Sequence, residues 1–246
     1  MKNSIALATL FVLIASSAQA QQCPGDNNGD DVTTVDELVT ALNMALTGCV
    51  DTARFVDNGD GTISDHATLL QWEKKVDYDD SAVSCTTAGE CPDPHDVDNR
   101  YSWGSGDPVT PNGTAFSLFL VQLNETCDGD NSVSCTTDAE CSGIGNGLCG
   151  LGGHRDWRLP TPAELVSIVD YAATTIPPVN DVFNDSCTAG CTRATCSCNP
   201  GTGFYFSSYT VSAFPQSVWV VDFYHGGLSA GDPPEFYNVR AVRTGL

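Results

Sequence analysis

The stretch Gly-His-Arg-Asp-Trp-Arg-Leu-Pro-Thr-Pro-Ala-Glu-Leu, residues 153–165, contains a complete helix start. Thr161 stands at the N-cap position, Pro162 at the first helical position, and Glu164 completes a capping box with the threonine. The apolar side chains that follow recur at helical spacing, at Leu165, Ile168, Val169 and Ala172. The stretch therefore predicts a helix of about ten residues on the C-terminal side of Pro160.

Strand signals lie on both sides of this helix. The turn sequence Asn58-Gly59-Asp60-Gly61 separates two short apolar runs, which predicts a β-hairpin over residues 54–65. Carboxylates at positions 57, 60 and 65 do not have EF-hand spacing, which disfavours a calcium site in this turn. Beyond Pro177-Pro178, strands are expected at residues 204–209, 218–223 and 237–242.

Seven blocks in this order resemble the Lcl C-terminal domain family, exported bacterial domains of unknown function named after a collagen-like adhesin. The resemblance spans about residues 54–245. The matching blocks are RFVDNGDGTISD, LLQWEK at Leu69 to Lys74, Tyr101-Ser102-Trp103, GHRDWRLPTPAEL, Tyr205 to Ser208, Val218 to Phe223, and Val239 to Arg243. The family is similar in turn to C-type-lectin-like and formylglycine-generating-enzyme-like folds. The resemblance implies an α+β fold, C-type-lectin-like, with short antiparallel strands and few helices.

Twelve cysteines predict disulfide bonds, because an even number in an exported chain is typical of bridges. No CxxC pair and no histidine at ligand spacing supports the alternative, a zinc site. The motif VSCTTxxEC occurs twice, at residues 83–91 and 133–141, and predicts stapled loops with local pairs Cys85–Cys91 and Cys135–Cys141. Long disulfide-stapled insertions are therefore expected near residues 78–99, 125–152 and 185–203.

Residues 1–20 have the features of a signal peptide. Lys2 precedes an apolar run that is too short to cross a bilayer, and Ala18-Gln19-Ala20 has small residues at the cleavage positions. The chain is therefore expected to be secreted, periplasmic or held at the cell surface. Residues 21–50 are predicted to form a small N-terminal EF-hand-like module, and residues 51–246 the main domain.

Residues 26–37 have the spacing of a calcium loop. Oxygen atoms stand at the first, third, fifth, seventh, ninth and twelfth positions, the seventh through a main-chain carbonyl. The predicted Ca²⁺ ligands are Asp26, Asn28, Asp30, Val32, Thr34 and Glu37. The other interpretation is an acidic turn in solvent.

The segment at residues 25–46 resembles the calcium loop of dockerin repeats and EF-hands. It departs from them at Asp31, where glycine usually provides the turn, and it is a single repeat where dockerins carry two. The resemblance implies, as an alternative function, a dockerin-like component of an extracellular protein assembly.

Charge excludes several classes of partner. With 10 Lys+Arg against 31 Asp+Glu, the formal net charge is −21, which repels nucleic acids and anionic lipid. No apolar run of membrane-spanning length occurs in the chain after residue 20.

The sequence contains no convincing catalytic constellation, so no enzymatic activity is predicted. The pattern GxSxG at residues 227–231 is followed by Asp232-Pro233-Pro234, which forbids the helix of a nucleophile elbow, and a glycine-rich connection is expected instead. The formylglycine-generating enzymes depend on a reactive cysteine pair, and here every cysteine lies in an insertion or in the N-terminal module.

Aromatic side chains provide a weak ligand-site signal. Trp103, Trp157 and Trp219 are candidates for a stacking platform, although buried core positions are the favoured interpretation. Four of the arginines are expected in structural ion pairs, at Arg155, Arg158, Arg240 and Arg243. The leading functional hypothesis is an exported binding or adhesion module, stabilised by calcium and disulfides, whose partner is a carbohydrate or a cell-surface protein.

Overall fold

The computed structural model describes residues 53–78, 91, 93–199 and 203–245. The chain divides into two units, Met1–Thr52 and Ala53–Leu246, and every described residue belongs to the second. The predicted signal peptide and the predicted module at residues 21–50 lie outside the described residues.

The described residues form an α+β fold of small antiparallel sheets with two short α-helices. The strands are β1 (Phe55–Asp57), β2 (Thr62–Asp65), β3 (Leu70–Glu73), β4 (Ser105–Gly106), β5 (Val109–Thr110), β6 (Thr126–Cys127), β7 (Asp130–Ser134), β8 (Phe204–Val211), β9 (Phe214–Asp222), β10 (Gly227–Gly231) and β11 (Val242–Thr244). The α-helices are α1 (Leu120–Glu125), preceded by a π-helical turn at Ala115–Phe119, and α2 (Pro162–Ser167). Single 3-10 turns lie at Asp138–Cys141, Leu151–Gly153 and Asp181–Phe183.

The predicted hairpin is confirmed. β1 pairs antiparallel with β2, with Phe55 opposite Asp65 and Asp57 opposite Ile63. Gly59, at φ 75°, lies in the left-handed region that glycine adopts without strain, which explains its place in the turn. The hairpin continues into a four-stranded sheet of order β1-β2-β3-β11.

The second sheet has the order β10-β9-β8, and it is buried on both faces where the first half of β8 pairs with the second half of β9. Successive strand residues point to opposite faces. Phe206 and its partner Val220 therefore face one hydrophobic cluster with Trp103, while Tyr205 and its partner Val221 face the other. The sheet thus separates two cores, and the second core also holds Trp72 of β3.

The helix start is confirmed, but the helix has six residues rather than about ten. Thr161 Oγ1 accepts from the Glu164 amide, and Glu164 Oε2 accepts from the Thr161 amide at 2.7 Å, so the capping box is complete. The helix ends at Ile168 because the chain then pairs with a later segment: the Asn180 amide donates to the Ile168 carbonyl, and Val169 bridges Val179.

Two other strand assignments are corrected. The expected strand at residues 237–242 contains only isolated bridges, Tyr237 to Tyr101 and Asn238 to Tyr205, and the regular strand begins at Val242. The glycine-rich residues 227–231 are not a loose connection but β10, in which Ser229 pairs with Val220 of β9. The glycine-rich sequence has a low intrinsic preference for strand, and pairing with β9 along its whole length stabilises the extended conformation.

The second insertion is stapled by two interleaved disulfides, Cys127–Cys141 and Cys135–Cys149. The expected local pair Cys135–Cys141 is therefore wrong. The 3-10 turn that Thr137 caps places Cys141 next to Cys127. The main chain of Cys127 also forms an isolated β-bridge with that of Cys149. These short-range tertiary pairings are not encoded in the spacing of the cysteines.

The third insertion holds Cys187–Cys198 and Cys191–Cys196. Cys91 is also disulfide-bonded, so among the described cysteines none is a free thiol and the zinc alternative has no ligands there. Cys85 lies outside the described residues. No helix within the described ranges is long and apolar enough to cross a membrane.

Candidate functional site

The structure places the predicted site residues in three different situations. All six predicted calcium ligands lie outside the described residues. Trp103 and Trp157 are core residues, each 3% exposed, and their indole nitrogens donate to the carbonyls of Ser207 and Leu151. Trp219 is half-buried in β9. Since a stacking platform requires open ring faces, Trp103 and Trp157 do not provide one.

The four arginines singled out in the sequence all have structural partners. Arg158 forms a two-pronged ion pair with Glu164 at 2.8 Å, and Arg243 contacts Asp156 at 2.7 Å. Arg155 and Arg240 instead donate to main-chain carbonyls. The expectation of ion pairs is thus confirmed for two of the four.

A buried charged centre lies at the end of β3. Glu73 is fully buried, and its Oε1 accepts from Lys75 Nζ at 2.9 Å and from His95 Nδ1 at 2.8 Å. Its Oε2 accepts from the Ala241 amide, and Arg240 Nη1 donates to the Glu73 carbonyl. Burial alone would raise the pKa of Glu73, but Lys75 and His95 hold that pKa below its usual value.

This centre anchors the insertions to the core. Lys75 Nζ also donates to the Pro94 carbonyl, next to His95 in the first insertion. Arg240 Nη2 donates to the Cys198 carbonyl in the third insertion at 2.7 Å. The side chains of this centre are buried, so they are not accessible to a ligand, and their role is to hold the chain segments in place.

The surface most suited to a ligand is built on the extended residues 100–104. Tyr101 and Trp103 point inward, and Tyr101 packs on Phe119 with ring centroids 5.1 Å apart. Because side chains alternate along an extended chain, Arg100 and Ser102 lie on the other side.

Residues 101–104 are held against residues 233–237 by main-chain hydrogen bonds. The Tyr101 and Tyr237 amides each donate to the other residue's carbonyl, and the Trp103 amide donates to the Pro233 carbonyl. The two segments form the shared wall of two neighbouring cavities.

The first of these, here called the aromatic cavity, has a volume of about 370 Å³ and combines rings with both signs of charge. Its walls include the side chains of Arg100, Phe204, Glu235, Phe236 and Tyr237. The Tyr237 ring packs 5.6 Å from Phe204, which is 40% exposed. Such a cavity suits a ligand with an apolar ring face and polar edges.

The second, here called the hydroxyl cavity, has a volume of about 280 Å³ and is lined mainly by small polar residues. Its polar side chains belong to Ser102, Ser105, Asn112, Thr114 and Ser117. Its floor is main chain: a Cβ on Gly104 would lie 1.9 Å from the Thr110 carbonyl oxygen, and one on Gly113 would lie 2.3 Å from that of Ser102. Glycine at these two positions is therefore required for the close approach of the backbone.

The family model of the Lcl C-terminal domain matches residues 61–243. The chain belongs to this family. No curated protein matches the chain.

Two blocks that carried the family resemblance form parts of the candidate surface. In this Lcl C-terminal domain, the block Tyr101-Ser102-Trp103 contributes to the wall between the cavities, and the block Tyr205 to Ser208 supplies Phe206, whose ring centroid lies 4.9 Å from that of Tyr237. The surface and its supports thus lie within the matched residues.

Sequence reasoning missed the residues that line the aromatic cavity. Arg100, Phe204, Glu235 and Phe236 were not singled out, although two signals were present in the sequence. Arg100 is one of only 10 Lys+Arg residues and precedes an alternating Tyr-Ser-Trp run, and Glu235-Phe236-Tyr237 follows a Pro-Pro turn. Their proximity in space depends on pairings between segments more than 100 residues apart, which no local pattern indicates.

Proposed function

We propose that this chain is an exported, ligand-binding adhesion module whose ligand is a glycan. Export is supported by the sequence of residues 1–20, and the disulfides of the described insertions suit an oxidising compartment. The RLPT helix start also supports kinship with C-type-lectin-like folds. The role is binding, without chemical change of the glycan.

The observation that carries the proposal is the position of Phe236, which lines both cavities. A sugar ring presents axial C–H groups on its face, which pack on an aromatic ring, and hydroxyl groups at its edge, which need donors and acceptors. Phe236 offers the ring, and the two cavities offer hydroxyl, amide and carboxylate groups on either side of it. This combination fits two adjoining sugar units.

We also propose that Ca²⁺ binds at residues 26–37 and stabilises the N-terminal module. The support is the ladder of oxygen ligands in the sequence, from Asp26 to Glu37. The proposed glycan surface uses residues of the main domain, so calcium is not required for it to form.

A glycan array probed with the exported chain, with and without EDTA, tests the function. We expect selective binding that persists in EDTA. Phe236→Ala is expected to weaken it about tenfold or more, because loss of aromatic contact costs about 1.5 kcal/mol. Phe214→Ala is the matched control, because Phe214 is 62% exposed and lines neither cavity.

Two results would contradict the proposal. One is the absence of selective binding on the array by a correctly folded chain. The other is equal binding by the two phenylalanine variants. Mass spectrometry of the recovered glycans checks that they leave the protein unchanged.

A further inference from the structure

Arg100 differs from the other cations that the structure describes. Most of those contact a carboxylate: Arg54, Lys74, Lys75, Arg158, Arg193 and Arg243. Arg155 and Arg240 donate to carbonyls. Within the described part of the chain, the Arg100 side chain has neither an ion pair nor a hydrogen bond.

This unpaired guanidinium lies in a chain with 31 Asp+Glu residues and a formal net charge of −21. Carboxylates to neutralise it are abundant, and Glu235 lines the same cavity, yet Arg100 forms no ion pair with Glu235 or with another described carboxylate. A guanidinium presents a planar fork of donors that matches a carboxylate in a two-pronged hydrogen bond. The geometry leaves that fork available to a ligand.

We propose that the aromatic cavity binds a uronic acid unit, a pyranose ring that carries one carboxylate. Arg100 pairs with the carboxylate, the ring face packs on Phe204 and Phe236, and Glu235 accepts from the sugar hydroxyls. The inference rests on the proposed glycan-binding function and specifies the charge of its ligand.

The overall charge limits how anionic the glycan can be. A net charge of −21 repels densely charged polymers at distances within the screening length, about 8 Å at physiological salt. A ligand with one carboxylate on a sugar unit pairs with Arg100 while adding little repulsion. Heavily sulfated glycans are therefore disfavoured relative to uronate-containing ones.

The neighbouring cavity extends this subsite. The ring of Phe236 is common to both cavities, and Ser105, Asn112 and Ser117 are exposed around the second one. A neutral sugar linked to the uronic acid can therefore pass Phe236 and hydrogen-bond to the hydroxyl cavity.

The test uses uronate-containing oligosaccharides and the same oligosaccharides after reduction of each carboxyl to a neutral alcohol. Binding to the exported chain is measured by titration calorimetry. We expect carboxyl reduction to weaken binding at least tenfold. Arg100→Gln is expected to weaken binding of the uronates by a similar factor and to weaken binding of the reduced sugars much less, because the reduced sugars carry no carboxylate for Arg100 to pair with.

Arg155→Gln is the control, since it removes one positive charge from an exposed site whose partners are main-chain carbonyls outside both cavities. If the reduced sugars bind as tightly as the uronates, or if both arginine variants have the same effect, the uronate inference is overturned while glycan binding stands. If neither acidic nor neutral glycans bind to the folded protein, the inference and the proposed function both fail.

Discussion

At the scale of single residues, Glu73 is the group on which most of the charged interior depends. Three neighbours donate to its side chain: Lys75, His95 and the Ala241 amide. Since the carboxylate is fully buried, removal of its charge leaves Lys75 as an uncompensated buried cation.

We predict that Glu73→Gln lowers the free energy of unfolding by about 3 kcal/mol, measured by urea denaturation at pH 7. Glu125→Gln is the matched control, because that side chain is exposed. Equal stability of the two variants would contradict the role assigned to Glu73.

Ionisation of Asp96 destabilises the folded state, whereas ionised Glu73 stabilises it, because the pKa of Asp96 is raised by folding and that of Glu73 is lowered. Burial raises its pKa to about 6, although the Asp98 amide donates to the Asp96 carboxylate and acts in the opposite direction. Below the ordinary value of 3.8 the group is protonated in both states. Between 3.8 and about 6 the folded state binds more protons than the unfolded state, so stability falls as pH rises through this window.

Asp96→Asn cannot ionise, so it avoids this loss. We expect the variant to be more stable than the natural chain at pH 7.5, by on the order of 1–2 kcal/mol after allowance for solvent screening. The advantage should disappear near pH 4, and thermal melting at the two pH values measures it. Asp232→Asn, at an exposed position, should show no such pH dependence.

At the scale of elements, α2 depends on its first turn. With six residues, the helix is too short to be stable alone, and the capping box satisfies amides that have no partner within the helix. Glu164 also fixes Arg158, so one carboxylate connects the cap to the preceding segment.

We predict that Thr161→Ala costs about 1 kcal/mol of unfolding free energy, because the Glu164 amide loses its acceptor. Thr161→Ser keeps a hydroxyl and should recover most of that loss. Thr188→Ala, an exposed control, should have no effect in the same chemical denaturation. A cost for Thr188→Ala equal to that for Thr161→Ala would argue against capping as the cause.

The second insertion provides a test by mass spectrometry. Digestion without reduction is expected to yield peptides joined through Cys127–Cys141 and Cys135–Cys149. A peptide with a Cys135–Cys141 link in the folded, oxidised protein would contradict the interleaved arrangement. Thiol titration should find no reactive thiol among the described cysteines.

At the scale of the whole molecule, sequence and structure agree where local chemistry determines the outcome. The hairpin at residues 54–65 and the start of α2 follow from turn glycines and a capping box, which act over a few residues. The end of α2, the disulfide pairs and β10 follow from contacts with distant segments. Local sequence patterns hold no information on those contacts.

The candidate surface shows the same division. The inward positions of Tyr101 and Trp103 are consistent with an alternating pattern, whereas the neighbouring Arg100 becomes a site residue only when Phe204 and Phe236 are brought beside it. A candidate site assembled from three separate segments is visible only in the folded chain.

The predicted calcium loop, residues 26–37, lies in the N-terminal unit of the chain, Met1–Thr52, and a prediction about it therefore concerns the molecule as a whole. Glu37→Gln removes the charge at the closing position and is expected to weaken Ca²⁺ binding at least tenfold in titration calorimetry. Asp57→Asn should leave Ca²⁺ affinity unchanged, because Asp57 is the ion-pair partner of Lys74 at 2.5 Å. Equal losses in the two variants, or no Ca²⁺ binding by the natural chain, would refute the predicted site.

The main-chain floor of the hydroxyl cavity has a consequence for engineering. Gly104 and Gly113 are fixed by the close approach of the backbone, while Ser105 and Ser117 stand exposed at the rim. Randomised libraries can therefore vary the rim and hold the floor constant, in the way that antibody loops vary on a constant framework. Selection from such a library would yield domains of one architecture with new specificities.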